Sequence, residues 1–544
     1  MAKPGFLQSW RERLKPPHSL PAMALVLFAW FAATAWWRPL LLPDEGRYVG
    51  VAWEMLRTGH WAVPTLDGLP FFHKPALFYW ISAAAMQVFG ASAWAGRMPA
   101  MLGATLAATA MYGFCRRWSG DAQARTTALV LSTQPFFFVA AQFANLDMLV
   151  AGCITAAILT GAHAVLLAAH GQPSRRAVIA AYALAAAGVL AKGLVGAVLP
   201  AATLLAWLLA ARRPKLIGIL LSLPGLVVFG LLALPWFVAM QLRYAGFYDY
   251  FIVYHHVRRF ANGGFNNPQP TWFYLPVILT LALPWTLALP AAWRYRAPAQ
   301  LPPGAGNALG SPSEPTSKSG PPPLRWLMWC WFVVVVVFFS LPKSKLVGYV
   351  LPALPPLAWL LAQAPSAVGP AAGWPARRVG SLAGVAALMC LGVVGGVSLA
   401  PVHSTARLGE VLRRQRTPGE PVILLQRYDY DLPFHARLET APQVLDDWTD
   451  PAIPRHDDWR KELYDAGRFD PEGASRQLIS RSAVPALLCT HARAWVIGKA
   501  AAMEAEPLFA GAQEMARDSG LVLWRLARDP VRCGGRPSAG SSGT

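Results

Sequence analysis

The chain has 544 residues, and its composition excludes a purely soluble protein. Apolar residues make up 55% and charged residues 14%, with a mean hydropathy of +0.36, whereas soluble domains carry about a quarter charged residues. Much of the surface must therefore contact lipid. The net charge of +20 would indicate nucleic acid on a soluble chain. On a membrane chain it marks cytoplasmic loops instead, so no nucleic-acid partner is expected.

Long apolar runs predict the membrane spans. The first run, 21–42, follows a basic segment and lacks the small-residue cleavage site of a signal peptide, so we expect an uncleaved first span. Segment 76–90 is apolar but short for a crossing, which favours an interfacial or re-entrant helix. Ten further runs have spanning length: 98–115, 124–142, 147–168, 177–192, 194–211, 216–239, 272–293, 325–341, 346–364 and 379–400.

The charges of the loops predict the orientation of the chain. Residues 1–400 hold 29 Lys and Arg against 9 Asp and Glu, whereas residues 401–544 hold 19 of each class. Placing the basic loops in the cytoplasm requires an odd number of crossings. We therefore expect about 11–13 transmembrane α-helices in residues 1–400, with the first loop (43–97) and the C-terminal region on the outer side.

The C-terminal region, residues 401–544, predicts a small soluble α/β domain. Its strand-like runs alternate with polar helical stretches and lie at 421–426, 485–489 and 521–526. Cys489 and Cys533 would form a disulfide if this domain faces an oxidising compartment, and would otherwise remain free thiols.

Ionisable side chains cluster in the first loop. Asp44 and Glu45 stand at the end of the first span, where charged groups are expensive to desolvate and are therefore candidates for catalysis. Residues 45–57 predict a short amphipathic helix lying on the membrane surface. Its apolar face would carry Tyr48, Val51, Ala52 and Met55. The alternative is an ordinary interfacial loop whose charges face water.

Asp147 is the second candidate carboxylate, and it starts the fourth span after an almost uncharged stretch. The orientation places it on the same outer side as Asp44. An Asp at this position would also serve as a helix N-cap, and both roles are compatible. Two outer carboxylates from separate loops would position a hydroxyl acceptor or share a divalent cation.

Basic residues on the outer side form a third signal. The positive-inside rule disfavours lysine there, so Lys343 and Lys345 imply an anionic group to bind, with Tyr349 one turn further on. Three other cations would complete a pocket suited to a phosphate: Arg47, Lys74 and Arg259. Lys192 either joins this pocket or extends to the membrane interface, and we favour the second interpretation.

Histidines in the outer loops raise the question of a metal. His73 and His256 are candidate ligands of a zinc ion. The alternative is that each is an ordinary histidine, hydrogen-bonded or facing solvent.

Several segments together resemble glycosyltransferase family 39, in particular its bacterial members that transfer 4-amino-4-deoxy-L-arabinose to lipid A. The resemblance runs from about residue 20 to residue 440. The matching segments are 43–48 (PDEGRY), 54–56 (EML), 59–64 (GHWAVP), 74–75 (KP), 256–261 (HVRRFA), 272–276 (WFYLP), 343–346 (KSKL) with Tyr349, and 431–434 (DLPF). His73 departs from the family, which usually has Glu before Lys-Pro, and this leaves a family metal site at this position in question.

The resemblance implies a GT-C fold, with a transmembrane bundle, amphipathic helices in the first loop and a periplasmic C-terminal domain. It also implies a polyprenyl-phosphate sugar donor. Carried over by position, Asp44 and Asp147 become the catalytic or acceptor-positioning carboxylates. The implied ligands of the donor phosphate are Arg47, Lys74, Arg259, Lys345 and Tyr349. The one candidate cofactor is a divalent cation, zinc, without an assigned role.

The resulting hypothesis is a monomeric, inverting glycosyltransferase of the bacterial inner membrane with a periplasmic active site. It would move 4-amino-4-deoxy-L-arabinose from undecaprenyl phosphate to lipid A and so confer resistance to cationic peptides. One alternative is a family-39 enzyme with another sugar or acceptor, such as a protein O-mannosyltransferase. The other is a lipid transporter or flippase, which would carry midplane charges and repeat symmetry, whereas the ionisable residues here lie at outer helix ends.

Overall fold

The computed structural model describes residues 19–258, 267–290, 321–366, 376–400, 403–528 and 533. Helices dominate the part before residue 400, and every one of the eleven predicted runs contains helix. The helices of this bundle are Leu20–Ala32, Met98–Trp118, Asp121–Ser132, Pro135–Ala141, Leu146–Ala169, Arg175–Lys192, Val195–Ala210, Ile217–Leu220, Leu223–Arg243, Tyr274–Leu281, Leu324–Ser340, Leu354–Ser366 and Ala376–Leu399. The chain is a multi-pass α-helical membrane protein, as its sequence predicts.

Not every predicted span is one continuous helix. Within the described residues, four helices are long and apolar enough to cross a membrane by themselves: Met98–Trp118, Leu146–Ala169, Leu223–Arg243 and Arg377–Leu399. The predicted run 124–142 is divided at Gln134, because Pro135 cannot donate a backbone hydrogen bond and instead starts a new helix. The predicted run 346–364 likewise begins as a 3₁₀ helix, Val347–Ala353.

Two glycines allow the first two long helices to touch. A Cβ atom on Gly152 would lie 2.3 Å from the carbonyl oxygen of Gly103, so no other residue fits at this crossing. Small residues permit such close backbone approach between membrane helices. The contact fixes the helix that begins with Leu146, and therefore Asp147, against the centre of the bundle.

The first loop contains the predicted amphipathic helix, at Asp44–Thr58, which we call the loop helix. It ends at Gly59, whose φ of 71° favours glycine. The hairpin β1 (Thr65–Leu66) and β2 (Leu69–Pro70) follows, and then the short helix Leu77–Phe89. The predicted apolar face of the loop helix is buried, at Tyr48, Val51, Ala52 and Met55.

The surroundings of the loop helix differ from the prediction of a helix resting on the membrane surface. Its opposite side contacts the C-terminal domain, since a Cβ atom on Gly46 would lie 3.0 Å from the backbone nitrogen of Asp431. One on Gly50 would lie 2.8 Å from the carbonyl oxygen of Tyr430. The loop helix therefore lies between the bundle and that domain. A helix covered on both sides has no broad face left for lipid.

The C-terminal domain is built on a mixed six-stranded sheet. Its strands are β3 (Val422–Leu425), β4 (Gln443–Leu445), β5 (Leu478–Ile479), β6 (Arg493–Gly498), β7 (Gln513–Asp518) and β8 (Leu521–Ala527). They lie in the order β5-β4-β3-β6-β8-β7. Strands β5, β4, β3 and β6 are parallel, and β8 and β7 add to one edge in antiparallel fashion. The α/β prediction is confirmed, with strands in two of the three predicted runs.

The helices of this domain cover the sheet, and they correct one prediction. The segment predicted as a strand at 485–489 is helical, because Pro485 occupies the first turn of a helix, where proline is favoured. The helices are Ala406–Gln415, Leu432–Ala436, Trp459–Gly467, Pro471–Gln477, Val484–Thr490 and Ala500–Glu504.

Cys489 and Cys533 form a disulfide, with their Cα atoms 5.5 Å apart. The bond ties the segment after the last strand to the helix Val484–Thr490. Of the two alternatives that the sequence left open for these cysteines, the structure has the disulfide.

Candidate active site

Glu45 organises the end of the bundle that carries the predicted site. Its side chain is completely buried and bridges two arginines from different segments, Arg38 and Arg97. Arg97 donates from Nε to Oε1 at 2.7 Å and from Nη2 to Oε2 at 2.8 Å. The remaining N–H groups of Arg97 donate to backbone carbonyls of Ala35 and Pro39. One buried carboxylate thus serves as the counter-charge of two arginines.

The same carboxylate reaches the segment that precedes Asp147. Glu45 accepts a hydrogen bond from the backbone N–H of Ala144 at 2.8 Å. Burial by itself raises the pKa of Glu45, but the charges and hydrogen bonds of Arg97 and Arg38 outweigh burial and hold the pKa at about 2. With no exposed surface and both oxygens occupied, Glu45 ties the start of the loop helix to the segment that precedes Asp147, and it is not placed to contact a substrate.

Asp44 is the accessible carboxylate beside this core. It opens the loop helix, and its side chain is 39% exposed. Arg47, one turn further along, lies with Nη2 at 3.5 Å from Asp44 Oδ1. The Arg47 guanidinium also lies 5.0 Å from the centre of the Tyr430 ring, which is a cation–π distance.

The second partner of Arg47 comes from the C-terminal domain. Glu462 accepts a hydrogen bond from Arg47 Nη1 at 2.7 Å and from the Tyr430 hydroxyl at 2.7 Å. Its Oε1 also lies 4.0 Å from His73 Nδ1. Burial raises the pKa of Glu462, while the charge of Arg47 and the Tyr430 hydrogen bond oppose that rise. The C-terminal domain therefore contributes a buried carboxylate to the surroundings of Asp44.

Asp147 lies in a second cluster, in which Lys192 is its ion-pair partner. The Lys192 ammonium is 4.3 Å from the centre of the Tyr349 ring. The backbone closes around this pair, since a Cβ atom on Gly348 would lie 2.3 Å from Asp147 Oδ2. A carboxylate, a cation and an aromatic ring from three different segments thus meet at one point.

Two predictions about this cluster are wrong. The N-cap of the helix is Asn145, whose side-chain oxygen accepts from the N–H of Asp147 at 2.9 Å, so Asp147 is not the cap. Lys192 does not extend to the membrane interface, because Asp147 offers its ammonium group a buried counter-ion.

Lys345 and Lys343 occupy different environments. Lys345 is 3% exposed, and its ammonium donates to the carbonyl oxygens of Gln269 and Pro342 at 2.8 and 2.5 Å. These bonds tie the segment before Tyr349 to the one before Trp272. They leave one N–H of the ammonium for another acceptor. Lys343 is exposed, and its backbone carbonyl accepts from Gln269 N–H at 3.0 Å.

The structure says less about three residues that the sequence predicts as ligands of a phosphate or a metal. Lys74 is half-buried, directly after His73. Arg259 and the side chain of His256 lie outside the described residues.

Sequence comparison finds relatives of this chain among sugar transferases. A family model described as dolichyl-phosphate-mannose-protein mannosyltransferase matches residues 73–238. Two curated relatives, from Erwinia tasmaniensis and Aeromonas salmonicida, are both named undecaprenyl phosphate-alpha-4-amino-4-deoxy-L-arabinose arabinosyl transferase. They are 32% and 30% identical over 62% and 68% of this chain, which spans 58% and 64% of their lengths.

A solved structure extends the comparison to the whole fold. The crystal structure of ArnT from Cupriavidus metallidurans bound to undecaprenyl phosphate matches with a TM-score of 0.76 at 24% identity. The match covers 95% of this chain and 98% of that one. The chain therefore resembles glycosyltransferase family 39 in sequence, and its fold matches that of the solved structure. Its GT-C fold is the one that the sequence predicts.

The family-39 segment 431–434 has a clear structural role. Asp431 is completely buried and accepts from the hydroxyls of Ser404 and Thr405 at 2.7 and 2.8 Å. This holds the start of the C-terminal domain against Asp431, whose backbone lies against Gly46 of the loop helix, while the backbone of Tyr430 lies against Gly50. The segment therefore joins the domain to the first loop.

The donor set around His73 does not make a zinc site by itself. In the described part of the chain, no group of three His, Cys, Asp or Glu side chains converges in a way that could hold a metal ion. The carboxylate of Glu462 lies 4.0 Å from His73, but it is already bonded to Arg47 and Tyr430. His73 and Glu462 therefore do not by themselves supply the ligands that a zinc ion needs.

Sequence reasoning missed two kinds of site residue. Glu462 and Tyr430 lie in the C-terminal domain, and Glu462 is 415 positions from its partner Arg47, so no local pattern connects them. Arg38 and Arg97 are arginines at predicted span ends, where the positive-inside rule disfavours them. That signal was available and would have marked them as partners for Glu45.

Proposed function

We propose that this chain is an inverting glycosyltransferase that moves 4-amino-4-deoxy-L-arabinose from undecaprenyl phosphate to a phosphate of lipid A. The observation that carries the proposal is the meeting of Asp147, Lys192 and Tyr349, at a helix whose preceding segment is bonded to Glu45, the neighbour of Asp44. It occurs in a chain about 30% identical to proteins named for this donor and sugar.

The proposed reaction is a single displacement. An oxygen of the lipid A phosphate attacks the anomeric carbon of the sugar as the bond from that carbon to the undecaprenyl phosphate oxygen breaks. Undecaprenyl phosphate leaves with the electron pair, and the configuration at the anomeric carbon inverts. Since a phosphate acceptor is already ionised at neutral pH, this step needs no general base.

The basic groups have a defined role in that step. The leaving phosphate gains negative charge in the transition state, and cations fixed in a dry site stabilise such charge strongly. Lys345 has a remaining N–H donor, and Lys74 and Tyr349 belong to the same predicted set. We propose these three, with Arg259 and the exposed Lys343, as the groups that bind the donor phosphate.

Arg47, one of the two arginines of the predicted set, receives a different role. Arg47 already lies between Glu462 and Asp44, so much of its charge is compensated inside the protein. We propose that it orients Asp44 and that Asp44 and Asp147 position the sugar and the acceptor. Glu45 is retained as the buried group that joins their segments.

We also propose the bacterial inner membrane as the location, with the site and the C-terminal domain facing the periplasm. The basic excess in residues 1–400 supports this orientation. The Cys489–Cys533 disulfide supports an oxidising compartment for the C-terminal domain.

Mass spectrometry of lipid A tests the proposal in cells. The chain is expressed in a strain whose own aminoarabinose transferase gene is deleted but which still makes the donor. We expect an aminoarabinose adduct on lipid A, and its loss in Asp147→Asn. Correct membrane insertion without any adduct would refute the assignment.

The family model supports one rival, transfer of mannose to protein hydroxyls, because that is the activity in its description. A hydroxyl acceptor, unlike a phosphate, needs a general base, and Asp44 would be the candidate. Mannosylated protein without modified lipid A in the same strain, supplied with a polyprenyl-phosphate-mannose donor, would favour this rival.

A further inference from the structure

The helix Trp459–Gly467 of the C-terminal domain, which we call the tail helix, carries Glu462, and this residue contacts the first loop. Asp458 caps this helix by accepting from the N–H groups of Arg460 and Lys461 at 3.0 and 3.2 Å. A capped helix resists fraying at its first turn. The position of Glu462, in that turn, is thereby fixed.

Glu462 is held from two sides. Oε1 accepts from Arg47 Nη1 and Oε2 accepts from the Tyr430 hydroxyl, both at 2.7 Å. Tyr430 also lies under the Arg47 guanidinium, at 5.0 Å from ring centre to Cζ. Arg47 of the loop helix is therefore in contact with both the tail helix and the segment before Asp431.

The side chains become more exposed from Glu462 through Arg47 to Asp44. The side chain of Glu462 is 9% exposed, that of Arg47 is 17% exposed, and that of Asp44 is 39% exposed. Only the last of the three presents much of its surface to a ligand. The order runs from a fixed anchor in the C-terminal domain to an accessible carboxylate in the first loop.

We propose that Glu462 is a positioning residue that fixes the orientation of Asp44 through Arg47. The C-terminal domain then completes the active site. This inference deepens the proposed function and rests on it, since it assigns Asp44 an orientation needed for sugar transfer. Without the Glu462 carboxylate, Arg47 loses the ion pair that anchors it to the C-terminal domain. Arg47 and Asp44 can then rotate away together.

The expected loss of kcat follows from how steeply the rate of sugar transfer depends on the position of the reacting groups. Small displacements of a reacting or positioning group lower rates by one to two orders of magnitude. We expect Glu462→Gln, which keeps the shape and an acceptor oxygen but removes the charge, to lower kcat roughly tenfold. The KM for the lipid-linked donor should change less than about twofold, since the phosphate-binding residues are elsewhere.

The C-terminal domain offers a closely matched control. Glu420 is also buried, and it accepts from an aromatic N–H, Trp495 Nε1, at 2.7 Å and pairs with Arg493 at 2.6 Å. Glu420→Gln therefore removes the same charge from a carboxylate that is also bonded to an arginine and an aromatic side chain, and the partners Arg493 and Trp495 both belong to the C-terminal domain. It should lower the melting temperature and leave kcat unchanged.

The experiment compares these two variants and Tyr430→Phe in full-length purified protein. Turnover is measured with undecaprenyl-phosphate-linked aminoarabinose and lipid A. Hydrogen–deuterium exchange is measured over residues 44–58. We expect Glu462→Gln to lower kcat and to speed exchange in the loop helix. Tyr430→Phe should show the same changes to a smaller degree, and it keeps the test available if Glu462→Gln does not fold.

The outcomes separate the inference from the function on which it rests. Wild-type kcat and exchange in both Glu462→Gln and Tyr430→Phe would overturn the positioning role. Equal losses of kcat in Glu462→Gln and Glu420→Gln would also overturn it, because they would indicate a general loss of stability. A wild-type protein without transfer would refute the proposed function, and faster exchange in Glu462→Gln would then still support the contact chain.

Discussion

Lys192 donates a hydrogen bond to Asp147, and the two side chains, 16% and 8% exposed, form an ion pair within the bundle. Neither residue is near the other in sequence, and each would be expensive to bury alone. The pair explains why a lysine can stand at the end of the helix Arg175–Lys192. Its removal should separate the effects of stability from those of chemistry.

Lys192→Met should destabilise the protein by about 3–5 kcal/mol, because it leaves Asp147 buried without its counter-ion. The double variant Asp147→Asn/Lys192→Met should regain much of the melting temperature but no transfer activity. Thermal unfolding in detergent and product formation measure the two effects. Lys215→Met, at an exposed lysine, is the control. Transfer by the stable double variant would contradict a role for the pair in chemistry.

Glu45→Gln should also destabilise by about 3–5 kcal/mol, since it removes the shared counter-charge of Arg38 and Arg97. The loss should appear as a lower melting temperature and lower yield from membranes. Glu410→Gln, which affects a partly exposed carboxylate with two arginine partners, should change little. An unchanged melting temperature in Glu45→Gln would refute the structural role assigned to this residue.

Asp67 predicts a pH dependence of stability in the first loop. It is completely buried, and neither carboxyl oxygen has a hydrogen-bond partner among the described residues. Burial, and then the charge of Glu54, raise the pKa of Asp67 well above its usual value, while Arg57 opposes them. Tyr428 is the other titratable neighbour. Because the folded pKa is raised, the stability contribution is present below the unfolded pKa and is lost as pH rises through the folded pKa.

Asp67→Asn should therefore remove the loss of stability that the wild type shows as pH rises. The melting temperature of the variant should exceed that of the wild type by more near about pH 8 than near about pH 5. Asn also tolerates the backbone φ of 56° at this position. Glu472→Gln, at an exposed pair, should follow the wild type at both pH values. A constant difference between Asp67→Asn and the wild type across this range would contradict the assignment.

Gly50→Ala should weaken the attachment of the C-terminal domain to the loop helix. Its Cβ atom would lie 2.8 Å from the carbonyl oxygen of Tyr430, and backbone cannot move aside cheaply. We expect a loss of about 1–3 kcal/mol and faster proteolysis between the domain and the bundle. Gly392→Ala, at a helical glycine with nothing within 4 Å, is the matched control. Equal stability of the two variants would argue against the close contact.

Much of the fold follows from local sequence patterns. Apolar runs located the helices of the bundle, and the 3.6-residue period located the loop helix with the buried face at Tyr48, Val51, Ala52 and Met55. Both signals depend only on neighbours in sequence. The run 485–489 was misassigned as a strand because a short apolar run does not distinguish strand from helix, and Pro485 decided the outcome.

The site was predictable only in part. Asp44, Asp147 and the lysines were recognisable because charged groups at span ends need a reason to be there. Their partners were not, since Lys192 meets Asp147 across 45 positions and Glu462 meets Arg47 across 415. These pairings depend on how helices and domains pack, and no single-sequence pattern encodes them.

The central claim is transfer of aminoarabinose between two lipids at the site that contains Asp147. Its most direct test uses the purified full-length protein with undecaprenyl-phosphate-linked 4-amino-4-deoxy-L-arabinose and lipid A, and detects the product by mass spectrometry. We expect aminoarabinose-modified lipid A with wild type, and a loss of at least roughly a hundredfold in rate with Asp147→Asn, since the placement of reacting groups dominates such rates. Wild-type protein that is folded and binds undecaprenyl phosphate but forms no modified lipid A would contradict this claim.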